Sequence, residues 1–266
     1  MRELLCYNIV TNEKGITMQH LVEDIYLQGN RQAFLLLHSF TSNAKEMHYV
    51  AKMLHSKGYT CYAPNLAGHG ASPEQLFASS MEHVWEHSRQ AVQYLIEEKY
   101  EAITVIGQSL GGVLGIRLAN EFPEVKALCI ISSPVMERPV EGLEQRVIYY
   151  SKRYLQNRGS SEQELEVFLA DNFPRPVEKM RALQQFIVET GNQLHLLKQP
   201  LFLAKGMLDE SVFHQSIDMI EQSAQSNMIM KKHYDNSSHL ITLGKERQLL
   251  TEDIIRFIDE IKKGAV

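Results

Sequence analysis

Short apolar runs alternate with stretches of helical spacing along most of this chain, and that alternation leaves few folds open to it. The runs 34–38 (FLLLH), 59–63 (YTCYA), 103–107 (ITVIG), 127–132 (ALCIIS), 200–205 (PLFLAK) and 228–233 (MIMKKH) read as strands. Several are continuously apolar, which suits strands covered on both faces. Between them, residues 44–57, 80–99, 110–121, 213–224 and 246–263 repeat apolar side chains at three- and four-residue steps, the spacing of helices with one buried stripe. A strand, a helix and a further strand need a crossover each time. The chain is therefore of the α/β class, with a mostly parallel central sheet and helices on both faces.

The alternation breaks once, over residues 134–199. Helix-like segments 143–157, 161–171 and 177–197 follow one another with no strand between them, punctuated by Gly159-Ser160-Ser161 and Pro174-Arg175-Pro176. This reads as a helical insertion in a core made of residues 1–133 and 200–266. A helical subdomain with no part in chemistry would leave the same trace. Its position after a central strand favours a cap over the carboxyl edge of the sheet, where open α/β sheets bind ligands. Residues 4–10 offer a weak extra strand, and Met18 an alternative start.

At 266 residues the chain is long enough for one large domain with a sizeable core. A net charge of −5 and an isoelectric point near 6.1 give no general attraction to nucleic acid or an anionic membrane, and no local basic patch supplies one. Cys6, Cys61 and Cys129 are odd in number and lack C-x-x-C spacing, so buried thiols are expected in place of a disulfide framework or a zinc site. There is no signal-peptide pattern, and no apolar run approaches the ~18 residues of a membrane span. A soluble cytoplasmic protein is expected; the sequence leaves its oligomeric state open.

Gly107-Gln108-Ser109-Leu110-Gly111 lies between the strand 103–107 and the helix 110–121. In that setting G-x-S-x-G is a nucleophile elbow, a turn so tight that its flanking positions must be glycine and its serine is pushed into a strained, exposed conformation. A merely tight turn or a phosphate loop would also use glycines. No lysine follows them, which removes the P-loop option. The helix that starts after Ser109 points unpaired N–H groups at charge arriving there.

A serine hydroxyl needs a base to take its proton and an acid to hold that base. In this arrangement both follow the serine, on loops after later strands. Asp209 follows the strand 200–205 and is the chosen acid, with Glu210 and Asp218 as alternatives. His239 follows the last strand in a short polar loop and fits the base; His233 within that strand and His214 at a helix start read as structural or surface residues. The loop after the strand 34–38 would supply the Phe40 N–H as one oxyanion donor, with the Leu110 N–H as the other. Each is worth roughly 2.7–4 kcal/mol in the transition state. His38 would order that loop.

With these positions in order, the chain resembles the α/β-hydrolase superfamily, and within it the small bacterial carboxylesterases and monoacylglycerol lipase-like enzymes. The resemblance covers residues 30–262 and rests on LLLHSFTSN, KGYTCYAPNLAGHG, GQSLGG, GMLDES and SSHLITL. It implies an α/β-hydrolase fold with a helical cap, Ser109 as nucleophile, Asp209 as acid, His239 as base, and Phe40 and Leu110 as oxyanion donors. It also implies a structural Gly68-His69-Gly70 turn. Relatives carry glycine where Ser39 and Ser42 stand here, so Ser39 is either tolerated in an ordinary conformation or narrows the oxyanion loop.

The expected reaction is hydrolysis of a small acyl ester, of short to medium chain or a monoacylglycerol, through an acyl-enzyme and without metal or organic cofactor. Val147, Ile148, Tyr149, Tyr150, Tyr154, Phe168, Leu169, Phe186 and Ile187 are candidates to line the acyl pocket. A thioesterase, an aminoacyl peptidase or a carbon–carbon bond hydrolase could use the same triad; the peptidase would need an acidic amine anchor, for which Glu141, Glu144 and Glu162 are candidates. A non-catalytic receptor on the same fold is the alternative of a different class.

Overall fold

The computed structural model describes residues 22–139, 141–172 and 176–264. Cys6, Met18 and the weak strand at residues 4–10 lie outside them. In chain order the elements are β1 (Ile25–Leu27), β2 (Gln32–Leu37), α1 (His48–His55), β3 (Thr60–Ala63), α2 (Pro73–Ala78), α3 (Met81–Glu97), β4 (Ala102–Gln108) and α4 (Leu110–Glu121). They continue with β5 (Val125–Ile131), α5 (Glu141–Asn157), α6 (Glu162–Asn172), α7 (Pro176–Gly191), β6 (Leu201–Gly206), α8 (Ser211–Ser223), β7 (Ile229–Tyr234) and α9 (Arg247–Gly264).

The strands form one sheet in the order β1-β3-β2-β4-β5-β6-β7. Every neighbouring pair is parallel except β1 with β3. The six expected strands are present, and the central ones are buried because helices cover both faces. One apolar cluster joins α3, α4 and α8 to one face through residues such as Val92, Val113, Ile116 and Ile217. The other joins α1 and α9 to the opposite face through Val50, Leu54, Ile254 and Phe257. Cys61 and Cys129 are free buried thiols in β3 and β5. Among the described residues no helix is long and apolar enough to cross a membrane.

Two elements escape the sequence reading. β1 is a three-residue edge strand, antiparallel to β3 through the pairs Ile25 with Ala63 and Leu27 with Cys61. α2 has only six residues, and Ser72 and Gln75 cap its start reciprocally.

The helices α5, α6 and α7 occupy the break between β5 and β6. They pack against the rest of the molecule, α5 on α2 and α7 on α3 and α4. Arg117 of α4 holds α7 by donating to Thr190 at 2.8 Å and Glu189 at 2.9 Å, with its guanidinium 3.8 Å from the Phe186 ring centre. Tyr150 of α5 donates its hydroxyl to the Ala71 carbonyl.

Candidate active site

Four loops leave the carboxyl edge of the parallel strands and converge: those after β2, β4, β6 and β7. The sharpest is the turn from β4 into α4. Ser109 sits there with φ 54° and ψ −116°, a conformation that a residue with a Cβ adopts only when its surroundings hold it. The glycines are what make the turn close enough. A Cβ on Gly107 would overlap the Gly111 carbonyl, and one on Gly111 would overlap the Leu37 carbonyl of β2.

The His239 Nε2 lies 2.9 Å from the Ser109 Oγ, and its Nδ1 lies 2.9 Å from the Asp209 Oδ2. A carboxylate only accepts, so Nδ1 carries the proton and Nε2 is left free to accept from the serine hydroxyl. The other Asp209 oxygen takes the Glu210 N–H at 2.9 Å. Phe213 packs its ring 4.2 Å from the imidazole, centre to centre. Burial holds the His239 pKa below its usual 6.5; Asp209 opposes that shift, while the Arg146 and Arg138 charges add to it.

The other acids and histidines weighed from sequence stand elsewhere. Asp218 lies inside α8 and pairs with Lys205 at 2.8 Å and Lys231 at 3.3 Å. Glu210 and His233 are exposed, and His214 donates from Nε2 to the Gly206 carbonyl at 2.8 Å. His38 is buried and orders the loop after β2. Its Nδ1–H donates to the Ser39 carbonyl at 2.8 Å, and its Nε2 accepts the Leu66 N–H at 3.0 Å. Burial, joined by neighbouring His69, pushes its pKa down to about 3, so it is neutral. Among the described residues, the Phe40 and Leu110 N–H groups meet no acceptor.

Ser39 has no positive φ, and its hydroxyl turns into the protein interior toward Glu46. That is the ordinary-conformation reading of the residue. Glu46 itself was not singled out from the sequence. Burial pushes its carboxyl up to about 7, against the pull of hydrogen bonds from Ser42 and Ser39.

Beside Phe40 and Leu110 opens a mostly apolar pocket, with about 510 Å³ of unoccupied space that includes the open solvent at its mouth. Leu76, Met81 and Val84 line it from α2 and α3, and Val147, Met180 and Leu183 from α5 and α7. Of the nine residues named from sequence as candidates to line the acyl pocket, Val147 alone lines it among the described residues. Phe186 and Ile187 are packed in the core, Phe168 stacks on Phe77 with ring centres 6.3 Å apart, and Tyr149 is 65% exposed. Lys179 is the charged side chain of the lining, and its ammonium donates to the Ser79 carbonyl at 3.4 Å. Glu141 and Glu162, weighed as amine anchors, are exposed.

The family model described as serine aminopeptidase, S33 matches residues 28–246. A carboxylesterase of Bacillus subtilis (strain 168) is 31% identical over 234 residues, which cover 88% of this chain and 95% of the relative. A thermostable monoacylglycerol lipase of Bacillus sp. (strain H-257) is 25% identical over 235 residues, 88% of this chain and 93% of the relative. Among solved structures, a metagenome-derived lipolytic enzyme from a study of LipS and LipT superposes with a TM-score of 0.74 at 21% identity, covering 92% of this chain and all of the other. The monoacylglycerol lipase of Paleococcus ferrophilus superposes with a TM-score of 0.64 at 14% identity, covering 90% and 98%. The sheet, the elbow and these matches agree: the chain belongs to the serine aminopeptidase S33 family of α/β-hydrolases.

Proposed function

We propose that this protein is a carboxylesterase that hydrolyses small esters with short to medium acyl chains, monoacylglycerols among them. The observation that carries the reading is the line of two 2.9 Å contacts from Ser109 through His239 to Asp209, set beside two unmatched amides and an apolar pocket. The His239 Nε2 takes the hydroxyl proton as the Ser109 Oγ attacks the ester carbonyl. The carbonyl oxygen becomes an oxyanion between the Phe40 and Leu110 N–H groups, which are in place before the charge develops. The imidazolium, steadied by Asp209, then gives its proton to the departing alcohol and leaves the acyl chain on Ser109. Water, deprotonated by the same histidine, releases the acid.

The pocket beside the two donors suits the acyl chain, and the helices α5 to α7 act as its cap. An amine anchor for a peptidase substrate would be a carboxylate, and no carboxylate lines the pocket among the described residues. The resemblance of two curated relatives named for ester hydrolysis points the same way.

A fluorophosphonate probe is expected to label Ser109, and a p-nitrophenyl ester to turn over steadily. Labelling without turnover would instead make the protein a receptor on a hydrolase fold. The pocket assignment has its own test in Val147→Phe. Loss of room for two methylenes, at ~0.8 kcal/mol each, is expected to lower kcat/KM for an octanoyl ester about tenfold relative to the acetyl ester. An unchanged ratio would place the acyl chain elsewhere.

A further inference from the structure

Glu46 is buried, and the reaction has no use for it. Its Oε1 accepts twice from one residue, the Ser39 N–H at 3.1 Å and the Ser39 hydroxyl at 2.9 Å. The Ser39 carbonyl accepts from the His38 Nδ1–H at 2.8 Å and from the Ser42 N–H at 3.1 Å. Every polar group of the residue before Phe40 is thereby held. On its other side the Ser39 Oγ lies 3.5 Å from both the Gln108 carbonyl oxygen and the Gln108 Nε2. Gln108 is fully buried, precedes Ser109, and accepts through its Oε1 the N–H of Thr242 at 3.1 Å, three residues beyond His239.

A buried carboxyl is costly unless hydrogen bonds compensate it; both bonds to the Glu46 Oε1 come from the one residue whose placement sets the next amide, while the Glu46 Oε2 is buried without a hydrogen-bond partner among the described residues. We propose that the chain of contacts from Glu46 through Ser39 and Gln108 to Thr242 is a brace that fixes the oxyanion loop and ties it to the nucleophile and base loops, with Glu46 and Ser39 as positioning residues. The proposal rests on the reading of the Phe40 N–H as an oxyanion donor. The hydroxyl at residue 39 is then a strut and not an obstruction.

The test compares Ser39→Ala, Glu46→Gln and the double variant with the parent, at alkaline pH where the carboxyl is ionised. Two readouts are taken: kcat and KM on p-nitrophenyl acetate, and amide hydrogen exchange of residues 39–42 by mass spectrometry. Each single variant is expected to lower kcat about tenfold with KM within about twofold, because a charge-assisted bond is lost that matters in the transition state. Exchange in the loop should quicken, and the double variant should lose little more than the worse single, since both break one chain. Exchange at the parent rate, or kcat losses that multiply, would overturn the brace. Faster exchange with an unchanged kcat would support the brace and remove Phe40 as a donor. A Ser39→Gly variant whose kcat/KM rises on a bulky acyl ester would overturn it as well.

Discussion

Replacing Ser109 with alanine is expected to lower turnover of a p-nitrophenyl ester by ~10⁶, the loss measured when another triad loses its serine, and to abolish fluorophosphonate labelling. The fold should be untouched, because among the described residues the Ser109 Oγ has one partner, His239, and alanine accepts the same backbone with no added bulk. Ser109→Gly separates strain from chemistry. It is equally inactive, yet glycine adopts φ 54° without a steric cost, so it should exceed the alanine variant in stability by about 1 kcal/mol. Thermal unfolding of the two variants, read beside their residual rates, measures both effects. Turnover in the alanine variant within about a hundredfold of the parent would remove Ser109 as the nucleophile.

The sheet was legible because β4 and β5 are largely apolar runs rich in β-branched residues and β6 begins with a short apolar run, with helical spacing on either side. β1 was not, since Ile25-Tyr26-Leu27 is too short to show alternation and owes its conformation to antiparallel pairing with β3. α2 is likewise shorter than two helical turns, so no period can be read. Its start was nonetheless written in Ser72-Pro73-Glu74-Gln75, a capping box with proline at the first helical position.

The grouping of Ser109, Asp209 and His239 could be read from order alone, because each follows a strand of a sheet whose loops must meet at one edge. The pocket could not. Its lining comes from α2, α3, α5 and α7 together, and which face each turns inward depends on how the helices dock. Tyr149 and Phe186 are both aromatic residues of the helical stretch, yet one is exposed and the other packs under Arg117. Glu46 was missed for a similar reason. A glutamate near the start of the helical stretch 44–57 reads as solvated, and its partner lies seven residues earlier, in Ser39, where the family resemblance leads one to expect glycine.

Asp209→Asn is expected to lower kcat by ~10⁴, on the scale of the same change in another serine hydrolase triad, while leaving the fold intact. An asparagine can present its amide N–H₂ to the His239 Nδ1, which moves the ring proton to Nε2 and leaves nothing to accept from Ser109. The pH dependence carries a second sign. His239 must be neutral to act as base, so the parent's kcat/KM should rise with pH through a midpoint below 6.5, where burial holds the imidazole. Asp209 opposes that depression by favouring the charged ring, whereas Arg146 and Arg138 reinforce it. Without the carboxylate the opposing influence is gone, and the acid limb of the residual activity should move to still lower pH. Rates of p-nitrophenyl acetate hydrolysis across the acidic range decide it: a limb that moves upward would mean that Asp209 does not support the imidazolium, and a variant within about tenfold of the parent would mean that it does not hold the base at all.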